Sequence, residues 1–278
     1  MGYAFDFKVR ELKNEPTLQY IRDSWLMAMA EMDSEQRATW EAIYDKKNEE
    51  FLKNPPVGKD LLRWKYQRYV KEYCRTIRSV DEQVGRLLDY LEEKGVLDNT
   101  VIVYTSDQGF LLGEHGLYDK RFMYEESFRT PLIISCPSLV KKHSVCKELV
   151  QNIDLAPTFL SLAGVEVPKE MSGRSLLPLF KNGKAENWRN ELYYHFYDYP
   201  AVGSVRKHDG IRTKRYKLIH WYGEGSGNDE AIDFWELYDL KKDVMEVNNV
   251  YDNPKYVKVR EALTVQLEKL RKDVGVTE

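Results

Sequence analysis

Three polar residues in the middle of the chain have the types and spacing of a site for a cation and an anion. Asp107 and Gln108 follow a β-branched and aromatic run, VIVYT, that starts at Val101, and one residue, Ser106, separates them from it. Such a run predicts a strand buried on both faces, and ligands of open α/β sheets bind beyond the carboxyl ends of the strands. A carboxylate beside an amide carbonyl suits Ca²⁺ or Mg²⁺ better than zinc. The ammonium of Lys120, thirteen residues after Asp107, can hold an oxyanion such as sulfate or phosphate.

The segment between these donors is expected to fold sharply. Three glycines, at 109, 113 and 116, permit a tight loop that carries His115 and Lys120. After the loop, the run RFMYEESF predicts a short helix and the run LIIS predicts a second buried strand. The simpler alternative is that Asp-Gln-Gly is only a turn and that Lys120 is a solvated charge, because Asp and Gly dominate turns for local reasons. Taken alone, these residues leave both interpretations open.

The hydrophobic pattern of the rest of the chain predicts mainly helices before this loop and mainly strands well after it. The clearest helix covers residues 61–94, where apolar residues recur at three- and four-residue steps and Gly95 can end the helix. Asp154 has the type of a helix N-cap, with Gly164 as the stop. Further helices are expected at residues 17–32, at 34–51 with a capping-box-like start over 34–37, and at 254–271, and strands at 191–197, 209–213, 216–221 and 234–239.

The chain is expected to have two parts. Composition shifts at the turn-rich run KNGK, residues 181–184. We expect residues 1–183 to form an α/β part, with an incomplete sheet covered by helices. Residues 184–278 are expected to form a small α+β subdomain with an antiparallel sheet, because strands there are followed by one helix.

The composition excludes several classes of protein. A net charge of −3 gives no reason to expect nucleic acid or an anionic membrane as partner. No run of 18 apolar residues occurs, so no membrane span is predicted, and the first residues lack the pattern of a signal peptide. The three cysteines, Cys74, Cys136 and Cys146, are too few and too scattered for a disulfide framework or a metal site. Cys136 is interpreted as a small hydrophobic residue at a strand end.

Several separate motifs carry a resemblance to a known family. These are SDQG, GEHGLYDK and YEESFRTPLII around the loop, NIDLAPTFLSLAG after it, and GIRTKRYKLI and ELYDLKKD near the end. Together they resemble the type I sulfatases of the alkaline-phosphatase superfamily over roughly residues 61–250. The resemblance implies the C-terminal part of an alkaline-phosphatase-like sulfatase domain followed by the small C-terminal subdomain.

The resemblance also implies roles for the three polar residues. In this family the Asp and the residue after it ligate a calcium ion, which would assign Asp107 and Gln108 to the metal. Gln replaces the commoner Asn, but its carbonyl can serve equally well. The Lys thirteen residues later contacts the sulfate ester, which would assign that contact to Lys120.

The substrate class is also implied by resemblance. The runs YYHFYDYP and RKHDGIRT are most similar to glycan sulfatases that act on sulfated amino sugars, such as N-acetylglucosamine-6-sulfatases. A sulfated carbohydrate is then the expected substrate, with His195 and His208 as candidate substrate contacts. His115, between two glycines of the loop, is a candidate catalytic residue. The alternative for His195 and His208 is a structural histidine on a strand.

Part of the expected active site is missing from the sequence. Sulfatases use a formylglycine nucleophile made from the Cys or Ser of a C/S-x-P-S-R motif, and the run around Cys136 has neither its spacing nor its Arg. We therefore expect a C-terminal half that has no turnover alone and whose partner is the N-terminal half. The full-length protein would be periplasmic or secreted. Two alternatives are a phosphate or phosphonate ester hydrolase of the same superfamily and a non-catalytic fragment that binds sulfated glycans.

Overall fold

The structure is a computed structural model that describes residues 26–27, 29–200, 205–226 and 230–276. The chain divides into two compact units, Met1–Tyr90 and Leu91–Glu278. The expected division at residue 183 stays a prediction. Most of the helix expected at 17–32 lies outside the described residues. Within the described part of the chain, no helix has the length and apolar content needed to cross a bilayer.

Two long helices come first along the chain. Helix α1 (Ser34–Lys53) begins with a capping box one residue earlier than predicted, because the Asp33 carboxylate accepts from two helix amides and the Gln36 side chain accepts from the Asp33 amide. Helix α2 (Gly58–Glu93) confirms the clearest sequence prediction, and Gly95 follows it with φ 66°. Four side chains of the apolar face that the three- and four-residue steps predicted are nevertheless exposed: Tyr66, Ile77, Val80 and Leu87.

The two strands predicted around the loop form an antiparallel pair. Strand β1 (Ile102–Thr105) pairs with β4 (Leu132–Ser135), and Val103 lies opposite Ile134. The prediction that β1 is buried on both faces is wrong, because Tyr104 is 39% exposed. The prediction that β4 is a buried strand is also wrong, because Ile133 is 64% exposed. A continuous apolar run is typical of strands inside a larger sheet, whereas among the described residues this sheet has two strands.

Short elements lie between and after these strands. The loop contains a small ladder of β2 (Leu111–Leu112) and β3 (Tyr118–Asp119), followed by the one-turn helix α3 (Glu125–Phe128). After β4 come α4 (Leu155–Leu162) and α5 (Leu177–Phe180), which share a core built on Leu176, Leu179 and Phe180. Cys136 is buried just after β4, as predicted, and all three cysteines are free.

Asp154 occupies the N-cap position of helix α4, as predicted, but its side chain makes no capping hydrogen bond to the amides of that helix. Its fully buried carboxylate accepts from the amides of Gln151 and Arg174 and pairs with the Arg189 guanidinium, whose Nη2 lies 2.7 Å away. Arg189 lies 35 residues away in sequence. Its charge-assisted contact with the Asp154 carboxylate takes the place of hydrogen bonds from the helix amides.

The C-terminal subdomain is a four-stranded antiparallel meander followed by a helix, as the sequence predicts. The strands occur in sheet order as β5 (Glu191–Phe196), β6 (His208–Thr213), β7 (Tyr216–Gly223) and β8 (Ile232–Asp239), and helix α6 (Val257–Asp273) follows them.

Both faces of this sheet are used, because side chains alternate along each strand. On one face, Leu263 and Leu267 of α6 pack on Ile211, Leu218 and Leu237. The opposite face packs on the residues that follow the Lys120 loop, and its core consists of Met123, Ile219, Trp221, Tyr238 and Leu240. The second face therefore forms a platform beneath that loop.

Candidate active site

The end of β1 presents oxygen donors to solvent. Asp107 is exposed, and its Oδ1 accepts a hydrogen bond from Ser106 Oγ at 3.2 Å. The backbone of this turn is held by Asn152, whose Nδ2 donates to the carbonyls of Ser106 and Asp107 at 3.0 Å each. The motif NIDLAPTFLSLAG, which carries Asn152, predicted no chemistry of its own. The long sequence separation of this contact left no local signal for it.

Gly109 brings the turn into close contact with α3. Its amide donates to the Ser127 carbonyl at 2.8 Å. A Cβ placed on Gly109 would lie 2.1 Å from the carbonyl oxygen of Glu126 and 2.7 Å from that of Arg129. Only glycine permits this approach, so the turn after β1 is fixed directly to the short helix.

The loop carries His115 in a left-handed backbone conformation, with φ 55°. Its imidazole stacks on the Tyr124 ring with a centroid separation of 4.3 Å. Its Nε2 lies 3.7 Å from the Oε2 of Glu126, and that oxygen is buried without a hydrogen bond among the described residues. The ring is thus held by the residue before α3 and faced by a carboxylate within α3.

Lys120 lies between two residues with unusual backbone angles. Asp119 and Arg121 have φ values of 85° and 86°, a conformation that costs about 1–3 kcal/mol for a residue other than glycine. Two contacts hold this segment: the Arg121 guanidinium pairs with Asp119 at 2.6 Å, and the Tyr194 hydroxyl donates to the Arg121 carbonyl at 2.5 Å. The Lys120 ammonium makes no hydrogen bond or ion pair with any described residue.

The two histidines predicted to contact the substrate, His195 and His208, are not brought together. His208 aligns with Phe196 and Asp209 aligns with His195, so the two imidazoles lie on opposite faces of the sheet. His195 is half-buried, with Nε2 2.7 Å from the Tyr222 hydroxyl. Their roles as substrate contacts stay a prediction.

His208 lies on the face that supports the loop. It is fully buried and stacked on Trp221, and its Nδ1 lies 2.8 Å from the Arg206 carbonyl. Burial lowers the pKa of His208 to about 4, against opposing contributions from the backbone of Arg206 and Arg121. His208 is therefore neutral at pH 7 and packs beneath the Lys120 segment.

Asp107 and Gln108 could supply only part of the ligands of a cation. The part of the chain that the structure describes contains no group of three His, Cys, Asp or Glu side chains able to hold a metal ion. Ca²⁺ takes six to eight oxygen ligands. The Asp107 carboxylate and the Gln108 carbonyl fit the oxygen chemistry that calcium requires, but they provide a minority of its ligands.

Comparison with known families places this chain in the alkaline-phosphatase superfamily. The family model described as "N-sulphoglucosamine sulphohydrolase, C-terminal" matches residues 113–273, and the model described as "Sulfatase" matches residues 28–165. The chain belongs to the type I sulfatase family of that superfamily.

Relatives with known names agree with this assignment. The chain is 46% identical over 269 residues to the N-acetylglucosamine-6-O-sulfatase of Bacteroides thetaiotaomicron, covering 96% of this chain and 47% of the relative. It is 35% identical over 196 residues to the multifunctional alkaline phosphatase superfamily protein PehA of Trinickia caryophylli, covering 66% of this chain and 36% of that protein.

A solved structure of a protein in complex with its substrate D-glucosamine-2-N,6-O-disulfate is similar with a TM-score of 0.87 and 45% identity. The similarity covers 99% of this chain and 55% of that one. The chain thus spans about half the length of the relatives that it matches.

Proposed function

We propose that this chain provides the Lys120 loop and part of the calcium site of a sulfatase that hydrolyses sulfate esters of glucosamine-containing glycans. The observation that carries the proposal is the loop itself. Its exposed oxygen donors at Asp107 and its unpaired ammonium at Lys120 belong to one segment, whose two ends contact α3 and the C-terminal sheet. The names of the N-acetylglucosamine-6-O-sulfatase and of the glucosamine disulfate complex support the substrate class.

Each residue of the loop has a specific task in this proposal. Asp107 and Gln108 give two oxygens to a calcium ion, which when bound neutralises the sulfate oxygens. Lys120 stabilises the negative charge that develops near the leaving oxygen of the ester. His115, with its ring held against Tyr124, is the second loop residue placed to contact the reacting ester. The products are the free sugar hydroxyl and inorganic sulfate.

The nucleophile comes from outside these 278 residues, because no run of this sequence matches the formylglycine motif. We propose the N-terminal half of a sulfatase domain as the partner that supplies it together with the remaining calcium ligands. The exposed side chains of the β1–β4 pair support this proposal, since Tyr104 is 39% and Ile133 is 64% exposed. A periplasmic or secreted location for the full-length protein stays a prediction.

The experiment is complementation. The chain is combined with the N-terminal portion of the Bacteroides thetaiotaomicron N-acetylglucosamine-6-O-sulfatase, produced with its formylglycine, and sulfate release from glucosamine 6-sulfate is measured. We expect no release from either part alone and calcium-dependent release from the mixture or from a fusion of both parts. A soluble, stably associated complex that releases no sulfate would contradict the proposal.

A second candidate function is hydrolysis of phosphate or phosphonate esters, because the solved structure of a phosphonate monoester hydrolase of Agrobacterium radiobacter is similar to this chain, with 26% identity and a TM-score of 0.59. The same complemented enzyme distinguishes the two. Higher kcat/KM on a phosphonate monoester than on glucosamine 6-sulfate would favour this second function.

A further inference from the structure

A charge cluster buried beneath α3 has no part in the chemistry described above. It consists of Lys217 and Arg212 from the sheet, Glu125 from α3, and Glu246 from the segment after β8. We propose that this cluster positions the Lys120 loop and the end of β1 for catalysis, with α3 as the connecting element. The catalytic part of this inference rests on the proposed sulfatase function.

Lys217 is the centre of the cluster and is fully buried. Its Nζ lies 2.9 Å from Glu125 Oε1 and 2.7 Å from Glu246 Oε1, with angles outside those of a hydrogen bond. Arg212 reaches the same Glu125 carboxylate through Nε and Nη2 at 3.3 and 3.2 Å. Two cations therefore balance two carboxylates, which is the condition for retaining charges in an apolar interior.

The cluster holds the backbone of α3 as well as a side chain. Glu246 Oε2 accepts a hydrogen bond from the Glu125 amide at 2.7 Å, and Glu246 itself has φ 50°. Burial alone would raise the pKa of Glu125, but Lys217 and Arg212 hold it below its ordinary value. Both the first turn of the helix and its first carboxylate are thereby tied to the C-terminal subdomain.

Stability alone is a weak explanation for such a cluster. Desolvation costs several kcal/mol for each buried ion, and well-packed apolar replacements of a buried ion pair are often neutral or stabilising, by about 1–4 kcal/mol. In some proteins buried charged groups instead fix one arrangement of the elements that carry them, and we infer this role for the cluster. Here the fixed element is α3, because Glu125 is the one cluster member outside the C-terminal subdomain.

Every residue around Glu125 contacts the candidate site. Tyr124 stacks on His115, and Glu126 lies 3.7 Å from the same imidazole. The Ser127 carbonyl accepts from Gly109, the residue after Gln108. A shift of α3 would therefore displace both the histidine of the loop and the metal-side donors.

The test begins with the isolated chain and needs no activity. The variant Lys217→Met with Glu246→Gln removes one charge of each sign. Its matched control is Arg271→Met with Asp209→Asn, which breaks a buried pair with two contacts of 2.6 Å between the sheet and α6. The measured quantity is hydrogen exchange of the Gly109 amide, which bonds to α3.

The exchange rate of the Gly109 amide in each variant is first normalised to the global stability of that variant. We expect the normalised rate to increase about tenfold more in the cluster variant than in the control. Equal exchange in the two variants would overturn the inference. If the double variant does not fold, Glu125→Gln decides the question by the same comparison, since it leaves the Lys217–Glu246 pair in place.

The second measurement uses the complemented enzyme. We expect the cluster variant to lower kcat for sulfate release about tenfold with KM little changed, because misplaced groups lose transition-state contacts. The control is expected to keep the kcat of the unmodified enzyme, and equal kcat values in the two would overturn the catalytic role. If the unmodified complex itself releases no sulfate, the proposed function fails, while hydrogen exchange still decides the positioning role.

Discussion

The amide of Gly109 donates to the carbonyl of Ser127 at 2.8 Å, and this one bond joins the turn after β1 to the first turn of α3. The contact leaves no room for a side chain, because a Cβ on Gly109 would lie 2.1 Å from a backbone oxygen. The position of Asp107 and Gln108 therefore depends on a helix that lies nearly twenty residues later in the chain.

Gly109→Ala is expected to destabilise the chain by about 3 kcal/mol, because backbone atoms cannot move aside as a flexible side chain can. Gly85→Ala is the control, since no atom lies within 4 Å of the added Cβ, and it is expected to stabilise α2 by about 1 kcal/mol. Urea denaturation measures both. A neutral Gly109→Ala would show that the turn does not rest on α3.

His208 predicts a specific dependence of stability on pH. Its pKa is about 4 in the folded chain because of burial, against about 6.5 in an unfolded chain. The unfolded state therefore binds the proton first. The stability contributed by neutral His208 is fully present above pH 6.5 and is lost as the pH falls towards 4.

We expect this residue to account for about 2 kcal/mol of lost stability between pH 7 and pH 5. The urea midpoint of His208→Gln should change less with pH over this range than that of the unmodified chain. His143→Gln, at an exposed position, should leave the pH dependence of the midpoint unchanged. An unchanged pH dependence of the urea midpoint in His208→Gln would mean that the folded chain does not lower the pKa of His208.

We predict that Asn152 raises the affinity for calcium without being a ligand of the metal. Its side chain holds the carbonyls of Ser106 and Asp107 at 3.0 Å, so Asn152→Ala frees the backbone that presents the Asp107 carboxylate. Loss of such a supporting contact costs about 10- to 100-fold in metal affinity. The calcium concentration that half-activates the complemented enzyme should rise accordingly. Asn182→Ala, at an exposed position with no such contact, should leave it unchanged.

Local sequence signals predicted most of the helices and strands, but they did not predict which residues of these helices and strands contact each other. The strands predicted in the C-terminal subdomain and the helix predicted from the three- and four-residue steps of α2 rest on local patterns, and both were confirmed. The pairing of Glu125 with Lys217 joins residues 92 apart, and the pairing of Asp154 with Arg189 takes the place of a capping hydrogen bond. Neither contact follows from spacing along the chain.

The geometry of the candidate site depends on contacts between distant residues to a greater degree than the helices and strands do. The residue types of Asp107, Gln108 and Lys120 pointed to oxygen-donor and anion chemistry. However, no sequence signal predicted the positive φ angles at Asp119 and Arg121. The segment is held by the Asp119–Arg121 ion pair and by Tyr194, which lies on a strand more than seventy residues after Arg121. The continuous apolar pattern of β1 and β4 indicated burial, which requires neighbours that the described residues do not provide.

Sulfate release by the Lys120→Ala variant of the complemented enzyme tests the central claim most directly. Lys142→Ala is the matched control, since this exposed lysine has no contact with the described site. The account predicts that kcat/KM on glucosamine 6-sulfate falls at least about 100-fold for Lys120→Ala, the loss expected when a charge-stabilising group is removed, and stays unchanged for Lys142→Ala. Equal kcat/KM values for the two variants would contradict it.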